Sequence, residues 1–130
     1  MDGEQVREEW SRREREIMAV IYRRGQATVG EVLEDLADPP SYSAVRALIN
    51  ILEAHGHLEH QKIGAKYVYF PTRPRQRAGK DALKRLLQTF YGGSVSDTVA
   101  ALLDVSREDM DAEEMDRLAA LIAQARQEGR

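Results

Sequence analysis

Arg46 and Asn50 lie four residues apart in the run "YSAVRALINILEAHG". A helix there sets them about one turn apart on one face. Both side chains can make paired hydrogen bonds to a base edge, arginine to guanine O6 and N7 and asparagine to adenine N6 and N7. Ala44, Ala47 and Ile51 lie close by on the same wheel, and alanine can meet a thymine methyl. Tyr42 and Ser43, at the helix start, can hold a phosphate beside the backbone N–H groups. Each has a plainer reading. An exposed helical arginine is commonly a solvated charge, small residues let a helix fit a groove, and Ser43 can be a local cap.

Other constellations are weaker. His55, His57 and His60 invite a metal, but H-x-H-x-x-H across a helix end and a strand matches no standard site, and strand alternation sends His57 and His60 to opposite faces. Tyr67 and Tyr69 share one strand face and suit the underside of a hairpin better than stacking on single-stranded nucleic acid. The acidic run "SREDMDAEEMD" lacks the EF-hand ligand positions and reads as a solvated helix start, where acids suit the dipole. There is no cysteine, glycine-rich phosphate loop or serine-centred motif. The sequence therefore predicts no enzyme, no metal and no cofactor.

Other residues must position Arg46 and Asn50. Ser11 with Glu14 and Thr28 with Glu31 are capping-box pairs, in which each side chain satisfies the other's backbone N–H. They open predicted helices over 12–24 and 29–37, with apolar stripes Ile17, Val20, Ile21 and Val29, Val32, Leu33, Leu36. "DPPS" breaks the chain. Ser41 caps a third helix, 42–55, whose Val45, Leu48, Ile49 and Leu52 form a core face. After Gly56, strands 58–63 and 66–71 flank Gly64-Ala65. A lone hairpin is marginal in water and needs something to pack on. Here its base can cover the helices while its tip, with Lys62 and Lys66, reaches sideways toward phosphate.

Helix, helix, helix, strand, turn, strand is a winged helix-turn-helix order. The fold class expected is mostly α with a small β-hairpin: a winged-helix DNA-binding domain over 1–72 and a helical dimerisation region over 73–130. In that second region Leu83, Leu86, Leu87 and Phe90 form one stripe. Val99, Leu102 and Leu103 follow Ser94, and Met115, Leu118, Leu121 and Ile122 follow a third expected capping box, Asp111 with Glu114. A piece of about 50 residues buries little surface alone. An identical copy would cover the stripes, and twofold dimers are the commonest oligomers.

The net charge of −3 argues mildly against nucleic acid, but its distribution does not. Residues 1–80 hold 13 Lys/Arg and 12 Asp/Glu, whereas residues 81–130 hold 6 and 10, so the excess acid lies in the C-terminal part. No apolar run approaches a membrane span. The polar, acidic start "MDGEQVREEW" is no signal peptide, so the expected compartment is the cytoplasm.

Three stretches, "EREIMAVIYRRGQATVGEVLEDL", "YSAVRALINILEAHGHLEHQKIGAKYVYFP" and "ALKRLLQTFYGGSVSDTVAALL", together resemble the penicillinase-repressor (BlaI/MecI) family of bacterial transcription regulators. The resemblance runs in order over roughly residues 10–125, and the middle stretch is its specific part. It implies a homodimeric winged-helix repressor on palindromic double-stranded operator DNA. Antibiotic-responsive members are cut at an Asn-Phe bond in the helix after the glycine pair; here Ala101-Leu102 stands at that place. The family's cleavage bond is therefore absent and the resemblance does not carry over the β-lactam signal, so a regulatory protease is a candidate partner of unknown identity. A copper-responsive branch carries a C-terminal cysteine motif, which this chain lacks. The alternative reading is a winged-helix module that binds another protein, because the fold alone does not fix function.

Overall fold

The computed structural model describes residues 10–129. Helix α1 spans Arg12–Arg24, α2 Val29–Asp35 and α3 Tyr42–Ala54. Strands β1, Leu58–Ile63, and β2, Lys66–Pro71, follow, then α4, Arg75–Tyr91, and α5, Val95–Val105. A short 3-10 turn, Arg107–Asp109, precedes α6, Ala112–Gln127. The chain forms two compact units that part after Lys80, inside α4. This is the mostly helical architecture with one hairpin that the sequence predicts.

Local chemistry explains the starts. The Ser11 hydroxyl accepts from the Glu14 N–H at 3.1 Å, and the Glu14 carboxylate accepts from the Ser11 N–H at 2.8 Å. Thr28 and Glu31 repeat the exchange at 3.1 and 2.9 Å. The Ser41 hydroxyl accepts from the Ala44 N–H at 3.1 Å. Caps of this kind contribute about 1 kcal/mol each.

Two ends come earlier than the sequence suggests. Helix α2 stops at Asp35, not 37, because Leu36 leaves the helix with extended backbone and turns its side chain into the core, 7% exposed. Helix α3 stops at Ala54, with His55 as its C-cap.

The first unit owns the core. Ile17, Met18 and Ile21 of α1, Val32 of α2, Val45, Ile49 and Leu52 of α3, and Leu58 of β1 are all essentially without solvent exposure. Leu48 is half-buried against them. The hairpin runs in register from Leu58↔Pro71 to Ile63↔Lys66, leaving a two-residue turn. Gly64 takes φ +64° while Ala65 stays at negative φ, the arrangement of a type II′ turn, where glycine avoids a Cβ clash. The hairpin is not alone. Ala27, between α1 and α2, exchanges both backbone hydrogen bonds with Tyr69, at 3.0 and 2.8 Å.

The second unit has stripes but no buried side chain on α5 or α6. Ser94 caps α5 through the Asp97 N–H at 3.1 Å. The capping box expected at Asp111 and Glu114 forms only by half. Asp111 accepts from the Glu114 N–H at 2.9 Å, but the Glu114 carboxylate turns to Arg117 at 3.2 Å. Leu83, Leu86, Phe90, Val99, Leu102, Met115, Leu121 and Ile122 are exposed, while Leu87, Leu103 and Leu118 are half-buried.

Candidate nucleic-acid interface

Helix α3 is amphipathic in a particular way. Burial of Val45, Ile49 and Leu52 turns Ser43, Arg46, Ala47 and Asn50 outward, and all four are exposed. Ala44 lies at the edge of this face and is half-buried. Tyr42 opens the helix 52% exposed. The outward face is thus small residues with one arginine and one asparagine, a surface able to approach a base edge closely.

The hairpin flanks this helix. Glu53, in the last turn of α3, and His60 of β1 meet at 2.5 Å between a carboxylate oxygen and Nδ1. The His60 ring also packs against Tyr67 and Tyr69, with centroids 5.1 and 5.5 Å away. Tyr69 is buried at 4% exposure and joins the core, while Tyr67 remains half exposed, so only one of the two tyrosines shields the hairpin's underside. Burial pushes the Tyr69 hydroxyl above its ordinary pKa. The Glu53 charge adds to the rise, and the Arg46 guanidinium opposes it. Arg46, Glu53, Tyr67 and Tyr69 therefore share one electrostatic neighbourhood where helix and hairpin meet. The Glu53–His60 contact has no signature at short range in the sequence, and the sequence reading missed it.

Lys62 and Lys66 are both exposed near the tip. Lys62 pairs with Tyr67 and Ile63 with Lys66, so the two lysines point to opposite faces of the hairpin. Lys62 shares its face with His60, Tyr67 and Tyr69, the side turned to α3.

Charge pairing sorts the surface further. Arg12 and Arg13 pair with Glu16. Arg23 lies 3.7 Å from Asp35, and Arg24 reaches Asp35 at 2.8 Å, Glu31 at 3.6 Å and Glu34 at 3.7 Å. These contacts tie α1 to α2. The hydrogen bond from Arg24 holds the Asp35 carboxyl below the usual carboxylate range, with the Arg24 and Arg23 charges adding and desolvation opposing. Arg46, Lys62 and Lys66 form no ion pair among the described residues.

The histidines do not converge. His57 is buried in a T-shaped contact with Trp10, centroids 5.1 Å apart, while His60 is exposed and engaged by Glu53. No group of three or more His, Asp or Glu among the described residues is arranged to hold a metal. No helix among them is long and apolar enough to cross a membrane.

The profile of the family described as Penicillinase repressor matches residues 10–124. The chain belongs to the penicillinase repressor family. That is a family of transcriptional regulators, and the match takes in every element from α1 to most of α6. A curated relative, "Uncharacterized 16.5 kDa protein in ptsI 3'region" of Latilactobacillus sakei, is 28% identical over 91 residues. The aligned part is 68% of this chain and 62% of the relative, so the chain spans less than two thirds of the length of the curated relative it matches. In this penicillinase-repressor chain the glycine pair Gly92-Gly93 separates α4 from α5, both glycines at positive φ, and the Ala101-Leu102 bond lies within α5.

Proposed function

We propose that this chain is a sequence-specific repressor that occupies palindromic operator DNA as a homodimer in the cytoplasm. The observation that carries the reading is the outward face of α3, with Arg46, Ala47 and Asn50 exposed opposite a fully buried Val45, Ile49 and Leu52. In helix-turn-helix proteins such a helix enters the major groove and its side chains reach base edges. Lys62, on the hairpin face toward α3, would hold phosphate beside it, and Tyr42 and Ser43 would do so at the helix start. Contacts to phosphate position the protein, while Arg46 and Asn50 read sequence.

The dimer is supported by the second unit. It leaves large apolar side chains exposed, with Phe90 at 75% and Leu121 at 62%, and an identical copy would cover them. Two copies joined there would carry two α3 helices to the two halves of a palindrome.

Fluorescence anisotropy on a duplex recovered from a random pool tests the reading. Binding that neutralises several phosphates loses affinity linearly on a log–log salt plot, with a slope of about 0.9 per phosphate. A steep slope with retained sequence preference supports the repressor. Absence of binding to any duplex would favour the protein-interaction module.

A further inference from the structure

We propose that the first turns of α4, through Arg77 and Lys80, form a second phosphate-binding segment apart from α3 and the hairpin. This rests on the DNA-binding reading above and enlarges its footprint.

Charge comes first. Residues 10–40 hold five Lys/Arg and six Asp/Glu, whereas residues 41–80 hold seven and two. The first unit therefore keeps its positive charge on α3, the hairpin and the start of α4. Of the two acids in that stretch, Glu53 is committed to His60.

Pairing sharpens the contrast. Arg12, Arg13, Arg23 and Arg24 of α1 all sit in ion pairs, and Arg15 donates to the Trp10 carbonyl. Arg75, Arg77 and Lys80 are exposed and form no ion pair or hydrogen bond among the described residues. Arg73 is different, since its charge acts on the Tyr22 hydroxyl of α1, and it has no part in the proposal. A helix designed only for solubility intersperses both signs. Residues 72–80 carry four cations and no acid.

Position ties these cations to the DNA-reading helix. The Thr72 N–H donates to the His57 carbonyl at 3.1 Å, and the Thr72 hydroxyl to the Gly56 carbonyl at 2.7 Å. The entry to α4 is thus fastened to Gly56 and His57, the link between α3 and β1. Arg77 and Lys80 stand three residues apart on one helix face, about 4.5 Å along the axis, whereas Arg75 lies about 160° around the helix from Arg77. Each DNA strand carries one charge per roughly 3.4 Å of axis. Two long cationic side chains over that rise can engage one or two phosphates, the arginine by paired hydrogen bonds.

The test is a salt series on the full chain, with a duplex selected by the wild-type protein. The variant Arg77→Ala/Lys80→Ala should bind with a log–log slope shallower by about 1–2, at about 0.9 per phosphate. Its base preferences should be unchanged. A charge-keeping variant, Arg77→Lys/Lys80→Arg, should retain the wild-type slope. A wild-type slope in the alanine variant would overturn the proposal and leave the repressor reading standing. So would an equal loss of slope in the charge-keeping variant, or weaker binding that sedimentation traces to lost dimers. If the wild-type protein binds no duplex, the repressor reading itself fails and this proposal with it.

Discussion

Glu53 on α3 and His60 on β1 meet at 2.5 Å, so a polar contact couples the helix that faces outward with Arg46 to the hairpin that flanks it. The carboxylate accepts, and Nδ1–H donates. Both side chains are partly exposed, so the contact is worth at most about 1 kcal/mol of global stability. Its effect should be local. Glu53→Ala is expected to speed hydrogen exchange of the β1 and β2 amides while shifting the thermal midpoint only slightly. Unchanged exchange across the hairpin would show that Tyr69 packing and the Ala27 bridge hold it without help.

Neighbouring positions on α3 should behave oppositely. Leu52 has no exposure, and Leu52→Ala should cost about 2–5 kcal/mol of stability by urea unfolding. Asn50 is exposed, and Asn50→Ala should leave stability within about 0.5 kcal/mol while weakening binding to the selected duplex. A destabilising Asn50→Ala would place that side chain in the fold and not in the interface.

Asp35 gives the expected acid response. Its folded pKa is depressed by Arg24, so it contributes stability above the unfolded carboxylate value, near 4, and loses it as pH falls through the lower folded value. The stability difference between wild type and Asp35→Asn should therefore be full at neutral pH and shrink as the pH drops below about 4. Urea unfolding at a series of pH values measures it. A difference independent of pH would mean the Arg24 contact does not depend on the carboxylate charge.

The second unit offers a test of assembly. Leu121 and Ile122 are 62% and 60% exposed, so charged replacements there need not disturb packing inside the unit. Leu118 is half-buried and is a poorer choice. Leu121→Glu/Ile122→Glu should sediment as a monomer with helix content retained. A stable dimer at low micromolar concentration would place the interface elsewhere.

The elements of the first unit were legible because their signals are local. Capping boxes at Ser11 and Thr28, the apolar quartet of α3, and the Gly64-Ala65 turn each specify structure within a few residues. What was not legible depends on partners distant in the chain. The Ala27–Tyr69 exchange is backbone pairing, which carries no side-chain signature. Leu36 leaves α2 early because the core lies where an extended residue can reach it. Glu114 abandons its capping box because Arg117 competes for the same carboxylate. At the candidate site, the exposed face of α3 followed from its buried face, but the opposite directions of Lys62 and Lys66 required the register.

Base reading by Arg46 is the central claim, and selection of bound duplexes from a random pool, wild type against Arg46→Ala, tests it most directly. A bidentate arginine–guanine contact discriminates by about 1–3 kcal/mol. Wild type should recover an inverted repeat, and Arg46→Ala should bind it more weakly and lose preference at one base pair in each half-site. Identical base preferences in the two pools, or a wild-type pool no different from the starting mixture, would contradict the account.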